Sequence, residues 1–266
     1  MDRPTTDLGL CVSVVIPALA DAAALRSNVP RLAALSRVGE IVVADAGGNE
    51  SAAATLAACG ARVVRCAPGR GPQLNAGAAA SCLDHLLFLH ADCWLEDGAI
   101  EEALLLLALP GVAAIVFRQQ IVGDRRAYRW IEAAATRRAV KYGCPYGDSG
   151  LLLRRRDFVA IGGYPPLPLC EDLGVAKRLR RLGRIVETRR RIHVSARRWE
   201  RYGVIRTTLL NVAIAWGFRI GVPAAILYRA YYGRALGDGA RGGAGTDEMD
   251  NDAMDNDATD EEGSRA

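Results

Sequence analysis

Three short stretches of the chain place ionisable side chains where apolar runs end. In "EIVVADAGGNES", Asp45 closes a β-branched run and two glycines follow. A carboxylate there can accept hydrogen bonds from a base or ribose while the glycines admit a ligand close to the backbone, or it can simply close a strand-to-helix turn. In "LLFLHADCW", His90 and Asp92 stand two positions apart after another apolar run. Side chains two apart on an extended segment point to one side, so both can reach a single divalent ion, or the pair can be the polar start of a loop. Oxygen ligands suit Mg2+, and an imidazole moves the preference toward Mn2+. In "LPLCEDLGVAKRL", Glu171 and Asp172 open a helical stretch. The helix dipole alone favours acids there, and a carboxylate so placed can also take the proton from an attacking hydroxyl. "APGRGPQLNAG" sets Arg70 between two glycines ahead of a helix, a place suited to phosphate oxygens or to a plain turn. It has the spacing of neither a P-loop nor a dinucleotide fingerprint. Late in the chain "SARRWERYG" gathers Arg197, Arg198 and Trp199, which suit anionic oxygens and ring stacking.

These groups need a scaffold that collects them. "CVSVVIP" (11–17), "EIVVAD" (40–45), "ARVVRC" (61–66) and "HLLFLH" (85–90) are short apolar runs separated by helix-rich segments. That alternation predicts an α/β fold with a mostly parallel sheet and helices on both faces, and such sheets gather ligands at the carboxyl ends of their strands. Pro17, Asp45, Arg70 and His90 to Asp92 fall there. In "DAAALRSNVPRLAAL" (21–35) Pro30 is expected to interrupt or restart the helix. Beyond residue 112 the pattern reads as a strand, a basic amphipathic stretch (125–141), the loop "YGCPYGDSG", a strand "LLLRR", the helix "EDLGVAKRLRRLG" and a helical region from about residue 200. One domain over 1–237 is expected, with a donor half at 11–110, an acceptor half at 111–200 and C-terminal helices at 201–237.

The chain has 266 residues and a formal charge of +4, but ten acidic and two basic residues lie between Asp238 and Ala266, leaving about +12 on residues 1–237. The tail, with Met249 and Met254 as its large apolar residues, is expected to be disordered. The basic body suits an anionic substrate, an anionic membrane or nucleic acid, or is a solvated arginine surface. Seven cysteines without a CxxC pair indicate neither a disulfide framework nor a zinc knuckle and fit a reduced, cytoplasmic setting. The N-terminus does not read as a secretory signal. "TTLLNVAIAWGF" (207–218) falls short of the roughly 20 residues that cross a bilayer, so with its flanking arginines it is expected at most to lie on an anionic membrane surface.

Taken in order, the strand ending in "IP", Asp45, "GRGPQLNAG", the aspartate after "LLFLH", the "ED" pair and the late "RRW" resemble the family-2 glycosyltransferases of the GT-A fold, over roughly residues 11–235. "PGRGPQLNAGAAA", "GDSGLLLRR", "GGYPPLPLCEDL" and "SARRWERYGVIRTTLLN" are similar to the radical-SAM/selenodomain-associated transferase subgroup. The resemblance implies inverting transfer of a sugar from a nucleotide-diphosphate donor with help from Mn2+ or Mg2+. It implies Pro17, Asp45, Arg70, Gln73, Asn75 and Asp92 on the donor side and Asp92 with His90 at the metal. Asp172 beside Glu171 is implied as base, with Arg198 and Trp199 in the arginine-tryptophan element, Ser195 standing at that element's glutamine position, and Asp148 on the acceptor side. His90 stands where the family has the first aspartate of its metal motif, Ala20-Asp21 replaces its first acidic pair, and "AGGNE" puts Gly48 and Glu50 at the serine and aspartate positions of "GGSTD". The expected partners are a nucleotide-sugar donor and an acceptor that is lipid-linked or of another class, with peripheral membrane contact and no nucleic acid. Two rivals are a nucleotidyltransferase, whose glycine-rich loop after the first strand is missing, and a non-catalytic binding protein, for which stacking aromatics are sparse.

Overall fold

The computed structural model describes residues 10–19, 21–48, 50–143 and 145–233. Residues 1–9, Ala20, Asn49, Cys144, residues 234–266 and the side chains of Glu50, Ser51, Ala52, Lys141 and Tyr142 lie outside that description. Strand β1 (Val12–Ala18) is buried along its whole length, because it is central and covered on both faces. On one side it pairs in parallel with β2 (Val38–Asp45), which pairs in parallel with β3 (Ala61–Arg65); on the other it pairs in parallel with β4 (His85–Phe88). These are the four strands that the apolar runs predict.

The remaining strands are the two-residue β5 (Trp94–Leu95), β6 (Val112–Ile121), β7 (Leu151–Arg154) and β8 (Arg184–Val194), giving the order β3-β2-β1-β4-β7-β6-β8-β5. β7 runs antiparallel to both β4 and β6, while β6 and β8 are parallel. The reversed β7 has a consequence for chemistry. Its beginning, not its end, lies at the edge where β1, β2, β4, β6 and β8 finish, so "GDSG" ahead of β7 joins the loops after Asp45, Phe88 and Val194.

Helices α1 (Ala22–Ala34), α2 (Glu50–Ala58) and α4 (Ala99–Leu107) feed the core on one sheet face, where Leu25, Val29, Leu56 and Ile100 meet Val14, Ile16 and Leu87. Helices α3 (Arg70–Ala80), α6 (Arg155–Ala160) and α7 (Glu171–Leu179) feed the other, where Leu74, Phe158 and Val175 meet Val15, Leu86 and Phe88. The alternation of Val14 and Val15 between the two cores is the period of two that a strand imposes. Helix α5 (Arg126–Tyr142) supplies the first core with Tyr128 and the second with Ala139. The chain ends in α8 (Arg197–Tyr202), α9 (Val204–Arg219) and α10 (Ala224–Tyr232).

Pro30 does not interrupt α1, which runs unbroken through it. Pro30 and Arg26, whose carbonyl a backbone N–H at position 30 would have met, both face solvent, so water can serve that carbonyl. β8 is absent from the sequence reading because Arg189, Arg190 and Arg191 break its alternation. Its exposed backbone is held by acids instead: Glu102 accepts the Arg189 and Arg190 amides, and Glu96 accepts that of Arg191.

The edge carrying the chemistry is tied together by Gln73. Buried in α3, it donates its amide to the carbonyls of Ala18 (2.6 Å) and Ala44 (3.0 Å), at the ends of β1 and β2. Gln73→Leu keeps the bulk and strands both carbonyls, and is expected to lower unfolding free energy by about 1–3 kcal/mol in urea denaturation. An unchanged midpoint would show that the carbonyls find other partners.

Candidate active site

Helix α7 begins abruptly. Cys170, its N-cap, sits in the left-handed region (φ 65°), a conformation that costs a residue with a side chain and turns the chain sharply into Glu171 and Asp172. Glu171 is buried, and its pKa is raised to about 7, first by burial and then by the neighbouring Asp172 charge, with Arg70 opposing. The Asp172 carboxyl is also raised by burial, although both its oxygens accept backbone hydrogen bonds: Oδ2 from Gly147 N (2.8 Å) and Oδ1 from Leu173 N (2.7 Å). Arg70 and Arg138 supply the positive charge that favours its ionised form. Each Asp172 oxygen keeps a second lone-pair direction for a hydroxyl proton.

His90 lies beneath the same Gly147 loop. A Cβ on Gly147 would stand 2.5 Å from His90 Nε2, so only glycine leaves room for the ring while still offering its N–H to Asp172. Burial, and then the Arg70 charge, lower the His90 pKa to about 3, so the imidazole is neutral at physiological pH. Burial first, then the Asp172 and Asp92 charges, raise the pKa of Asp148, one residue on, against the pull of Arg138 and of a Gln119 hydrogen bond. A small cavity is lined by His90, Gly147, Tyr164, Glu171 and Asp172. Arg138 also covers the ring of Tyr146 at 3.5 Å, and Tyr146 donates its hydroxyl to the Asn211 carbonyl of α9.

Asp92 stands at the rim, 37% exposed, with Arg197 Nη2 3.7 Å from its Oδ2. Its loop is fixed from behind. The buried Asn28 of α1 donates to the carbonyls of Ala91 (2.9 Å) and Cys93 (2.6 Å), the two residues that flank Asp92. Across β1, Asp45 accepts Gly47 N at 2.8 Å and pairs with Arg65. Gly47 passes so close to β1 that a Cβ would lie 1.9 Å from the Leu19 carbonyl, which fixes glycine there. Pro17 is buried in β1 opposite Ala44, beyond the last residue that β4 pairs.

Other expected site residues are committed elsewhere. The Gln73 amide is bound to Ala18 and Ala44, and Asn75 exchanges two hydrogen bonds with the Tyr164 backbone, tying α3 to the loop before α7. Arg198 lies over the Tyr231 ring at 4.3 Å, so Arg197 is the arginine that meets Asp92. Trp199 is buried in the core against Tyr128 rather than facing the site. Ser195 accepts Arg197 Nε at 3.1 Å.

Asn28, Arg138, Tyr146, Gly147 and Arg65 escape the sequence reading. Of these, Arg138 carried a signal as part of a basic helical face, and Tyr146 and Gly147 as members of the loop "YGCPYGDSG". No group of three or more His, Cys, Asp or Glu side chains able to hold a metal ion forms among the described residues. The donor set nevertheless fits a hard divalent ion that takes one carboxylate from the protein and the rest of its oxygens from a diphosphate and water. Asp92 is accessible for that role, and the neutral His90 ring retains ligand capacity but is packed against Gly147.

The sequence model of the family described as "Glycosyl transferase family 2" matches residues 13–162. No curated protein sequence matches the chain. Among solved structures, a glucosyl-3-phosphoglycerate synthase from Mycobacterium tuberculosis is similar with a TM-score of 0.54 at 22% identity, over 83% of this chain and 87% of that one. The same enzyme in complex with Mn2+, uridine-diphosphate and glucosyl-3-phosphoglycerate gives 0.50 at 21% identity, over 71% and 76%. Its complex with Mn2+, uridine-diphosphate-glucose and phosphoglyceric acid gives 0.50 at 23%, over 70% and 75%. At these identities the likeness establishes the fold, a GT-A-type α/β architecture around a mostly parallel sheet.

The buried acid pair is expected to retain a proton near neutrality. In a carboxyl 13C NMR titration Glu171 should titrate near 7, and Asp172→Asn, which removes the adjacent charge, should lower that value. An ordinary glutamate titration in the wild-type protein would contradict the burial argument.

Proposed function

The chain belongs to glycosyl transferase family 2, and from that membership together with the geometry of the acid pair we propose that it moves a sugar from a nucleotide-diphosphate donor to an acceptor hydroxyl by a single inverting displacement. The observation that carries the reading is Asp172, a half-buried carboxylate held by two backbone donors and raised in pKa above the ordinary carboxylate value, as suits a general base.

In this reading the donor nucleotide lies over the carboxyl ends of β1 and β2, between Pro17 and Asp45, with Arg65 orienting the Asp45 carboxylate. Arg70, whose charge reaches Glu171, Asp172 and His90, lies toward the diphosphate, and Arg197 stands beside Asp92. The acceptor hydroxyl gives its proton to Asp172 as its oxygen attacks the anomeric carbon and the bond to the diphosphate oxygen breaks. Glu171 tunes that base through its charge. Asp148 lies on the acceptor side, and Arg198 and Trp199 support the site from behind, through Tyr231 and the core. A divalent ion, Mn2+ or Mg2+, held by Asp92 with His90 as its neighbour, would neutralise charge on the departing diphosphate. The Mn2+ complexes of the structurally similar synthase support that choice, and its uridine-diphosphate-glucose complex supports a nucleotide-sugar donor.

The division into a donor half at 11–110, an acceptor half at 111–200 and C-terminal helices follows the same reading, as does a cytoplasmic setting. No helix among the described residues is long and apolar enough to cross a membrane. The longer sequence phrases support the narrower placement among radical-SAM/selenodomain-associated transferases. A lipid-linked acceptor, presented at an anionic membrane, is the finer assignment favoured by the apolar C-terminal helices.

Asp172→Asn preserves the shape of the side chain and removes the base. Transfer from a nucleotide-sugar donor is expected to fall about a hundredfold or more while donor binding by calorimetry is retained. Near-normal transfer would remove Asp172 from the reaction, and loss of donor binding would make its role structural.

A further inference from the structure

A helix that is apolar all round calls for partners on every side, and α9 is apolar on two opposite faces. One face is satisfied within the chain. Thr207 and Ile214 are buried, and Leu210 and Phe218 pack with Cys170, Leu173 and Leu227, so this face holds the helix against α7 and α10. The other face carries Ile205, Leu209, Val212 and Trp216, continued by Ile220 just past the helix end. Their spacing of four, three, four and four keeps them on one stripe, diametrically opposite the packed face. All five are exposed, Ile205 at 76%, Trp216 at 61% and Ile220 at 74%. At 1.5 Å per residue the stripe is about 22 Å long.

Charge decides among occupants. Helical spacing at about 100° per residue puts Arg206 on one border of the stripe and Arg219 on the other. From Arg201 to Gly237 the sequence holds five arginines and no acidic residue. A second copy seated on the stripe would bring arginine against arginine with no carboxylate to pair them, the arrangement that specific helical dimers avoid. The acidic segment beyond Asp238 offers charge, but Met249 and Met254 are its only large apolar side chains, too few to fill the stripe. An anionic bilayer offers both an apolar layer for isoleucine, leucine and tryptophan and phosphate oxygens for the flanking guanidinium groups. We propose that the outer face of α9 is a docking surface for an anionic lipid membrane, with the helix lying in the plane of the interface. Because Tyr146 and Arg138 connect α9 to the loop carrying Gly147, this docking sets the acceptor side of the sheet edge close to the bilayer.

Flotation of the full-length protein at low salt, with vesicles of phosphatidylcholine plus phosphatidylglycerol or of phosphatidylcholine alone, tests the assignment. The protein is expected to float with the anionic vesicles only. Leu209→Gln combined with Trp216→Gln, and separately Arg206→Gln combined with Arg219→Gln, should each weaken binding about tenfold or more without lowering Tm, since all four side chains are exposed. Three outcomes would overturn the proposal: no flotation, flotation unchanged in the Leu209 and Trp216 variant, or a lipid-free dimer in ultracentrifugation that this variant dissociates while vesicles go unbound. Transfer to a soluble acceptor is measured in parallel, so that a failed membrane assignment is distinguished from a failed reading of the reaction.

Discussion

Two adjacent carboxylates drawn out of water cannot both ionise at ordinary pH unless the protein supplies donors and positive charge around them. That constraint organises the site. Glu171 is buried and Asp172 half-buried at the start of α7, and what surrounds them answers their charge: the amides of Gly147 and Leu173, the guanidinium groups of Arg70 and Arg138, and the left-handed Cys170 that turns the chain into them. The arginines come from α3 and α5, the Gly147 amide from the loop before β7. The pair therefore requires the reversed strand, which brings that loop to the edge where the parallel strands end.

The site is built from the backbone outward as much as from its ionisable groups. Gln73 closes the ends of β1 and β2, Asn75 holds the loop before α7, and Asn28 grips the carbonyls on either side of Asp92. Each is an amide that satisfies backbone groups left over where regular pairing stops, as buried polar backbone demands. Such side chains fix the backbone next to Asp45, Asp92 and the acid pair. His90 contributes in a related way, its neutral ring filling the space that Gly147 leaves open.

The four parallel strands are legible because short apolar runs ending at Pro17, Asp45, Cys66 and His90 recur with helical segments between them. β8 is hidden, since three consecutive arginines erase the alternation that glutamates on α4 and its preceding loop compensate only in three dimensions. The acids at 171 and 172 can be singled out from their place at a helix start, but Leu74 and Phe88, which line the same cavity, lie far away in sequence. Asn28 reads as an ordinary polar residue of a surface helix, because its partners lie more than sixty residues away. Trp199 reads as a stacking platform, yet its neighbour Tyr128 sits in α5 and takes it into the core. What the sequence conceals in each case is a contact between distant segments.

The protonation of the acid pair ties this physics to the reaction. The most direct measurement is the pH dependence of kcat/KM for transfer in the wild-type enzyme and in Glu171→Gln. A proton shared by the pair predicts a rate that rises with pH through an apparent value raised above the ordinary carboxylate range, because the base must lose its proton to act, and an ascending limb moved to lower pH in the variant, where the neighbouring charge is gone. A rate independent of pH across that range, or a limb that stays in place when Glu171 is neutralised, would contradict it.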